Sequence, residues 1–153
     1  MELIYRKAKS SDAQKIAELF LEMLRTIYNT DDVQGYEEGY LDRFFSPEQE
    51  DLIYVAEAEG IVVAYLSVEV HRREGYIYLD DLSVTGAYRG QGIGTKLIKM
   101  AEEYASKVGI IPVVFHVEKS NIRAHQLYKR LGYQDNEDQG SRMRMAKELR
   151  KVK

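Results

Sequence analysis

Residues 78–98 read YLDDLSVTGAYRGQGIGTKLI, from Tyr78 to Ile98, and the stretch changes period part-way along. Tyr76 to Thr85 form a β-rich run. From Gly92 to Val108 the apolar residues recur at helical spacing, with Ile93, Leu97, Ala101, Tyr104, Ala105 and Val108 on one face and Gly109 placed to cap the end. Between the two lies Arg89-Gly90-Gln91-Gly92-Ile93-Gly94-Thr95. A strand that passes through a glycine turn into a helix leaves unpaired backbone N–H groups beside a chain that a ligand can approach closely. The helix dipole at that end favours negative charge, so the segment reads as a phosphate site. Arg89 and Lys96 add positive charge to it.

Spacing sorts the phosphate motifs. A Walker A loop needs G-x-x-x-x-G-K-[ST], and five residues past Gly90 stands Thr95. A dinucleotide fingerprint needs glycine where Thr95 stands, and an alternating strand–helix chain around it. The coenzyme A loop, R/Q-x-x-G-x-G/A, is matched at every specified position by Arg89, Gly92 and Gly94.

Working outward, residues 52–58 (LIYVAEA) and 61–70 (IVVAYLSVEV) flank Glu59-Gly60, a hairpin signal. With 76–85 they predict an antiparallel meander. Upstream, residues 2–8 read as a strand, and Ser11 with Gln14 opens a helix whose apolar face carries Ile16, Leu19, Phe20, Met23, Leu24 and Ile27. Residues 29–39 read as a loop, and a short second helix carries Tyr40, Leu41, Phe44 and Phe45. Downstream, residues 111–117 predict a strand, Asn121 to Leu131 a helix with Ala124, Leu127, Tyr128 and Leu131 inward, and residues 141–149 a last strand. The order β-α-α-β-β-β-α-β-α-β predicts an α+β fold. Its sheet is mixed and mostly antiparallel, with one locally parallel pair and helices on both faces. Residues 1–153 are expected to form a single domain.

Residues 115–133, FHVEKSNIRAHQLYKRLGY, carry a second pattern, N-x-x-A-x-x-L-Y-x-x-x-G-F/Y, filled by Asn121, Ala124, Leu127, Tyr128, Gly132 and Tyr133. In this order and spacing the two segments resemble the signatures of the Gcn5-related N-acetyltransferase (GNAT) superfamily. That resemblance implies acetyl-CoA as co-substrate, held by Leu82, Ser83, Val84, Arg89, Gly90, Gln91, Gly92, Ile93, Gly94, Thr95, Asn121 and Tyr128. It implies that the pantetheine arm pairs with the backbone of Leu82 and Val84, in a gap beside the strand ending at Val117. The Val84 N–H would then polarise the acetyl carbonyl, and Tyr128 would be the general acid. A structural reading stands beside each role: sheet core for Leu82 and Val84, a packing tyrosine for Tyr128, a helix N-cap for Asn121.

The general base is left among Asp80, Asp81 and His116. Alternation along the strand puts Asp80 and Asp81 on opposite faces, with Asp80 on the side of Tyr78, Leu82 and Val84. Members that acetylate polyamines have an acidic pair resembling Asp80-Asp81. Ribosomal-protein acetyltransferases have Glu where His116 stands, a departure that argues against that role. Between Arg25 and Arg43 the chain has Asp31, Asp32, Glu37, Glu38 and Asp42, interleaved with Tyr28, Tyr36 and Tyr40, and no lysine or arginine. This composition suits a cationic amine acceptor, polyamine-like or aminoglycoside-like. The alternatives are a protein N-terminal or lysine acetyltransferase and a non-catalytic acyl-CoA-binding sensor.

Composition bounds the rest. With 153 residues, 44% of them apolar, the chain is neither disordered nor membrane-spanning. It has no cysteine, which removes disulfides, thiolate–metal sites and a cysteine acyl-enzyme; no metal site is expected. A formal charge of −3 argues against a nucleic-acid surface. The expected setting is cytoplasmic, with no membrane partner and with a homodimer as the one macromolecular assembly admitted.

Overall fold

A computed structural model of the chain describes residues 2–149. Seven strands form one sheet in the order β1-β2-β3-β4-β5-β7-β6. They are β1 (Leu3–Lys7), β2 (Leu52–Ala58), β3 (Ile61–His71), β4 (Tyr76–Val84), β5 (Val113–Glu118), β6 (Gln134–Gln139) and β7 (Arg142–Lys147). Three α-helices accompany them: α1 (Ala13–Tyr28), α2 (Ile93–Val108) and α3 (Ile122–Arg130). The described pairings are antiparallel except that of β4 with β5, which is parallel at Ile77↔Val113 and Tyr78↔Val114. The expected mixed, mostly antiparallel α+β sheet is what the chain forms.

The chain divides into two compact units, one built from the chain up to Val68 and Asp81–Ala101, the other from Glu69–Asp80 and the chain from Glu102 onward. In the first, Ile16 and Leu19 of α1 are buried with Phe44, Ile53, Val55 and Tyr65. The β2–β3 hairpin turns at Glu59 and Gly60, both with positive φ (52° and 79°). Such a two-residue turn matches the strand twist. In the second unit, Phe115 lies edge-on to Tyr128 and Tyr133, and Tyr133 is fully buried with its hydroxyl on Glu102 Oε2 at 2.8 Å.

Three local expectations change. Ser11 lies inside a 3-10 turn (Ser10–Asp12), and the N-cap of α1 is Asp12. The Asp12 carboxylate accepts the Lys9 N–H at 2.9 Å and both terminal nitrogens of Arg6 at 2.8 and 3.0 Å, and the Arg6 guanidinium holds its pKa below the usual carboxylate value. The second helix is a 3-10 turn, Tyr40–Phe44. Strand β6 has no counterpart in the sequence reading, because its six residues, QDNEDQ, are all exposed and show no apolar alternation. Gly140 and Ser141, just before β7, mark the turn that could have revealed a strand on its other side.

Candidate active site

The glycine segment runs from the end of a 3-10 turn (Gly86–Tyr88) into the first turn of α2. Gly90 and Gly92 take φ of +77° and +82°, which side-chain-bearing residues rarely adopt, and a Cβ built on either would meet no atom within 4 Å. The space over this backbone is therefore open to a ligand. The helical hydrogen bond nearest the start of α2 runs from Lys96 N to Gly92 O at 3.1 Å. The N–H groups just ahead of it lack intrahelical acceptors, as in any first turn. Ile93 is buried, so only its backbone is on offer, and the Leu82 side chain lies 3.5 Å from where a Gly94 Cβ would be.

Two side chains in this stretch do not face a ligand. The buried Ser83 hydroxyl donates to Leu19 O at 3.1 Å. Arg89 turns back on the end of β4, donating from Nε to Val84 O at 2.8 Å, and on α1, donating from Nη2 to Glu22 at 3.1 Å. The positive charge expected on the anion from Arg89 is thus paired within the protein, and the Lys96 ammonium lies over the Tyr5 ring, 5.8 Å from its centroid, so the loop is left with its backbone donors.

Residues 69–80 and 102–149 hold the groups expected to handle protons. Tyr128 is mostly buried, which raises its pKa above that of free tyrosine and keeps it protonated. Its hydroxyl makes no hydrogen bond among the described residues, whereas the hydroxyls of half-buried Tyr36 and of buried Tyr65 and Tyr133 are all engaged. An unbonded, protonated phenol is free to donate to a ligand. Asn121 caps α3, its Oδ1 accepting Ala124 N–H at 3.2 Å, so the capping role expected of it is filled. Tyr78 OH and His116 Nδ1 share a 2.6 Å hydrogen bond. The other ring nitrogen, Nε2, is buried with no partner at hydrogen-bonding geometry among the described residues. Burial first, and Arg142 next, lower the His116 pKa; a side-chain contact from Gln139 acts in the opposite sense and does not prevail. His116 is therefore neutral at pH 7.

The acidic pair separates as alternation requires. Asp80 is exposed. Asp81 is half-buried and accepts the Tyr36 hydroxyl at 2.6 Å, while its N–H donates to Ser67 Oγ at 2.9 Å. Tyr36 also bonds Tyr65 OH at 2.8 Å, and its ring stacks between Phe20 (centroids 3.9 Å apart) and Tyr40 (5.0 Å). Sequence reasoning left this cluster unseen. Asp31, Asp32, Glu37 and Glu38 are all exposed.

Residues 21–133 match the model of the acetyltransferase (GNAT) family. The chain belongs to this family. Membership makes it an acetyl-CoA-dependent N-acetyltransferase. The acetyltransferase is 34% identical over 134 residues to an uncharacterized N-acetyltransferase of Methanocaldococcus jannaschii, covering 87% of this chain and 79% of that one. A 59-residue stretch is 49% identical to the thialysine N-ε-acetyltransferase of Bos taurus, covering 39% of the acetyltransferase and 35% of the relative. Among solved structures, the PaiA N-acetyltransferase of Thermoplasma acidophilum, in complex with coenzyme A, superposes with a TM-score of 0.78 at 21% identity, over 97% of this chain and all of the other. No helix among the described residues is long and apolar enough to cross a membrane.

Proposed function

We propose that the acetyltransferase, acting as one domain in the cytoplasm, moves the acetyl group of acetyl-CoA to the primary amine of a small cationic molecule by direct attack in a ternary complex. The observation that carries this reading is the unbonded Tyr128 hydroxyl in a chain that also holds an open, glycine-rich helix start. A binding module needs only the second.

Acetyl-CoA supplies an acetyl group already activated as a thioester. The backbone N–H groups of Gly90 to Thr95 hold its pyrophosphate, since the first turn of a helix lacks intrahelical acceptors and a Gly90 or Gly92 Cβ would meet no atom within 4 Å. Leu82 and Val84 offer backbone to the pantetheine arm. The Val84 N–H donates to the acetyl oxygen as negative charge develops there, and such a donor is worth about 10²–10³ in rate. Tyr128 gives its proton to the departing sulfur. Asp80, the exposed member of the acidic pair, takes the proton of the arriving ammonium through water. His116 stands behind it as a neutral imidazole, but its free nitrogen is shut off from solvent, so Asp80 is the better-placed base. A homodimer is compatible with this chemistry and not needed for it.

The cationic preference rests on two features: the carboxylates of residues 31–38, with no basic residue between Arg25 and Arg43, and partial identity to an enzyme named for an ε-amine. The test is a screen of polyamines, aminoglycosides, lysine analogues and peptide α-amines with acetyl-CoA, reading free thiol. Thiol release with small cationic amines is the expected result. Release with peptides alone would move the acceptor to proteins, and acetyl-CoA binding without release to any amine would make the chain a sensor. Within the enzyme, kcat/KM should rise with pH through an ionisation that Asp80→Asn shifts or removes. If His116→Ala flattens the profile instead, the base assignment passes to His116.

A further inference from the structure

Glu22 lies on α1, 64 residues before Gly86, outside both signature segments. Its carboxylate collects three donors from the turn that leads into the glycine loop. Oε1 accepts Thr85 Oγ1–H at 2.7 Å; Oε2 accepts Gly86 N–H at 3.0 Å and Arg89 Nη2–H at 3.1 Å. One helical turn earlier, Leu19 O accepts the buried Ser83 hydroxyl, and the Thr85 N–H donates to Val63 O at 2.9 Å. The turn at 85–89 is thereby held at its start, middle and end, although its residues are mostly exposed.

We propose that Glu22 is a positioning residue for the coenzyme loop, fixing residues 85–89 so that the backbone amides of 90–95 present one geometry to the pyrophosphate, and keeping Arg89 on the protein rather than on the anion. As an exposed ion pair, Glu22 with Arg89 contributes little energy by itself. The consequence lies in geometry. A loop that binds through backbone dipoles works only if those dipoles are pre-aligned, and loss of the clamp makes the ligand order the turn at its own cost. Arg89 then acts as the strap between Glu22 and Val84 O, the carbonyl on the strand whose N–H is assigned to the acetyl oxygen.

The proposal rests on the coenzyme reading of the glycine loop, and the probes separate the two. Calorimetry with coenzyme A, with its nucleotide half (which carries the pyrophosphate) and with pantetheine (which lacks it) is run on the parent, Glu22→Ala, Glu22→Gln and Arg89→Ala. Glu22→Ala should weaken coenzyme A and the nucleotide half by the same factor, on the order of tenfold as for loss of charge-assisted hydrogen bonds, and leave pantetheine unchanged. Glu22→Gln keeps one acceptor oxygen, enough for either the Thr85 hydroxyl or the Gly86 N–H, and should recover part of the affinity. Glu22→Ala combined with Arg89→Ala should cost no more than the worse single change, since both act through one strap. Equal or tighter coenzyme binding by Glu22→Ala overturns the proposal, because it means that a freed Arg89 reaches the phosphates. Equal weakening of pantetheine overturns it as well. If Glu22→Ala does not fold, Thr85→Val removes one of the three donors and poses the same question. A parent that binds none of the three probes fails before any substitution, and that result removes the coenzyme reading together with the clamp.

Discussion

The glycine loop and the cluster around Asp81 belong to the same compact unit and are built in opposite ways. In residues 90–95 the backbone is what lies open: Gly90 and Gly92 have positive φ, the Ile93 side chain is buried, and a Cβ on Gly90 or Gly92 would meet no atom within 4 Å. Around Asp81 the side chains set the arrangement: the Tyr36 hydroxyl donates to the carboxylate and shares a hydrogen bond with Tyr65, Ser67 Oγ accepts the Asp81 N–H, and the Tyr36 ring stacks between Phe20 and Tyr40. A backbone site should tolerate most side-chain changes and fail at a single glycine. A side-chain site should feel the loss of one hydroxyl. Tyr36 and Tyr128 carry the same contrast in one residue type: one hydroxyl is held by two partners, the other by none among the described residues.

The sharpest way to break the comparison is Gly92→Val. At φ +82° the substitution costs about 1–3 kcal/mol of strain, so the apparent melting temperature should drop modestly. The larger effect should be on the ligand. Acetyl-CoA at about 100 times its Kd stabilises the parent by about 2.7 kcal/mol, and the variant should lose that shift altogether. A retained shift would place the pyrophosphate elsewhere.

Next in size is Tyr128→Phe. Because the hydroxyl has no hydrogen-bond partner among the described residues, its removal should leave stability within about 0.5 kcal/mol of the parent. Turnover should fall about 10–100-fold, below the usual range for a general acid because a thiolate is already a fair leaving group, with acetyl-CoA affinity little changed. Burial raises the Tyr128 pKa, so parent turnover should not decline as pH approaches the ordinary tyrosine value of 10.0. Equal kcat in the two proteins would leave Tyr128 with a packing role only.

Tyr36→Phe should show the reverse. It removes a 2.6 Å donor to a carboxylate and should cost about 1.5–3 kcal/mol in urea denaturation, with KM for the amine rising and acetyl-CoA affinity held. A variant as stable as the parent would mean that the cluster relaxes freely.

Smaller effects sharpen the picture. The His116 pKa is depressed below 6.5 in the folded state, so the unfolded chain binds the proton first as pH falls. This contribution to stability is complete above the unfolded value and is lost as pH falls below it toward the folded pKa. The pH slope of stability below about 6.5 should therefore flatten in His116→Gln. Neutralising Asp31, Asp32, Glu37 and Glu38 together should raise KM for a polyamine at low salt and weaken its salt dependence, with acetyl-CoA binding unchanged. Polyamine kinetics identical to the parent's would reduce these carboxylates to a solvated surface.

The sequence by itself determined whatever depends on neighbours along the chain. The period change near Gly92 and the Glu59-Gly60 turn set elements that the structure confirms to within a few residues, and the two signatures pointed to the right family. Glycine spacing is readable because only glycine adopts those φ values cheaply, and periodicity because burial of one face repeats with the backbone. Strand β6 was out of reach for the same reason in reverse: its six exposed residues gain their hydrogen bonds from β7 and leave no apolar trace. Only the tertiary structure decided the side-chain partners. It set Asp81 on Tyr36, 45 residues away, Glu22 on Arg89, 67 residues away, and His116 on Tyr78, and among the described residues it left the Tyr128 hydroxyl without a hydrogen bond. Such pairs form when strands and helices far apart in sequence are brought to within 3 Å or so. No local propensity encodes that approach, since it follows from the packing of the whole core.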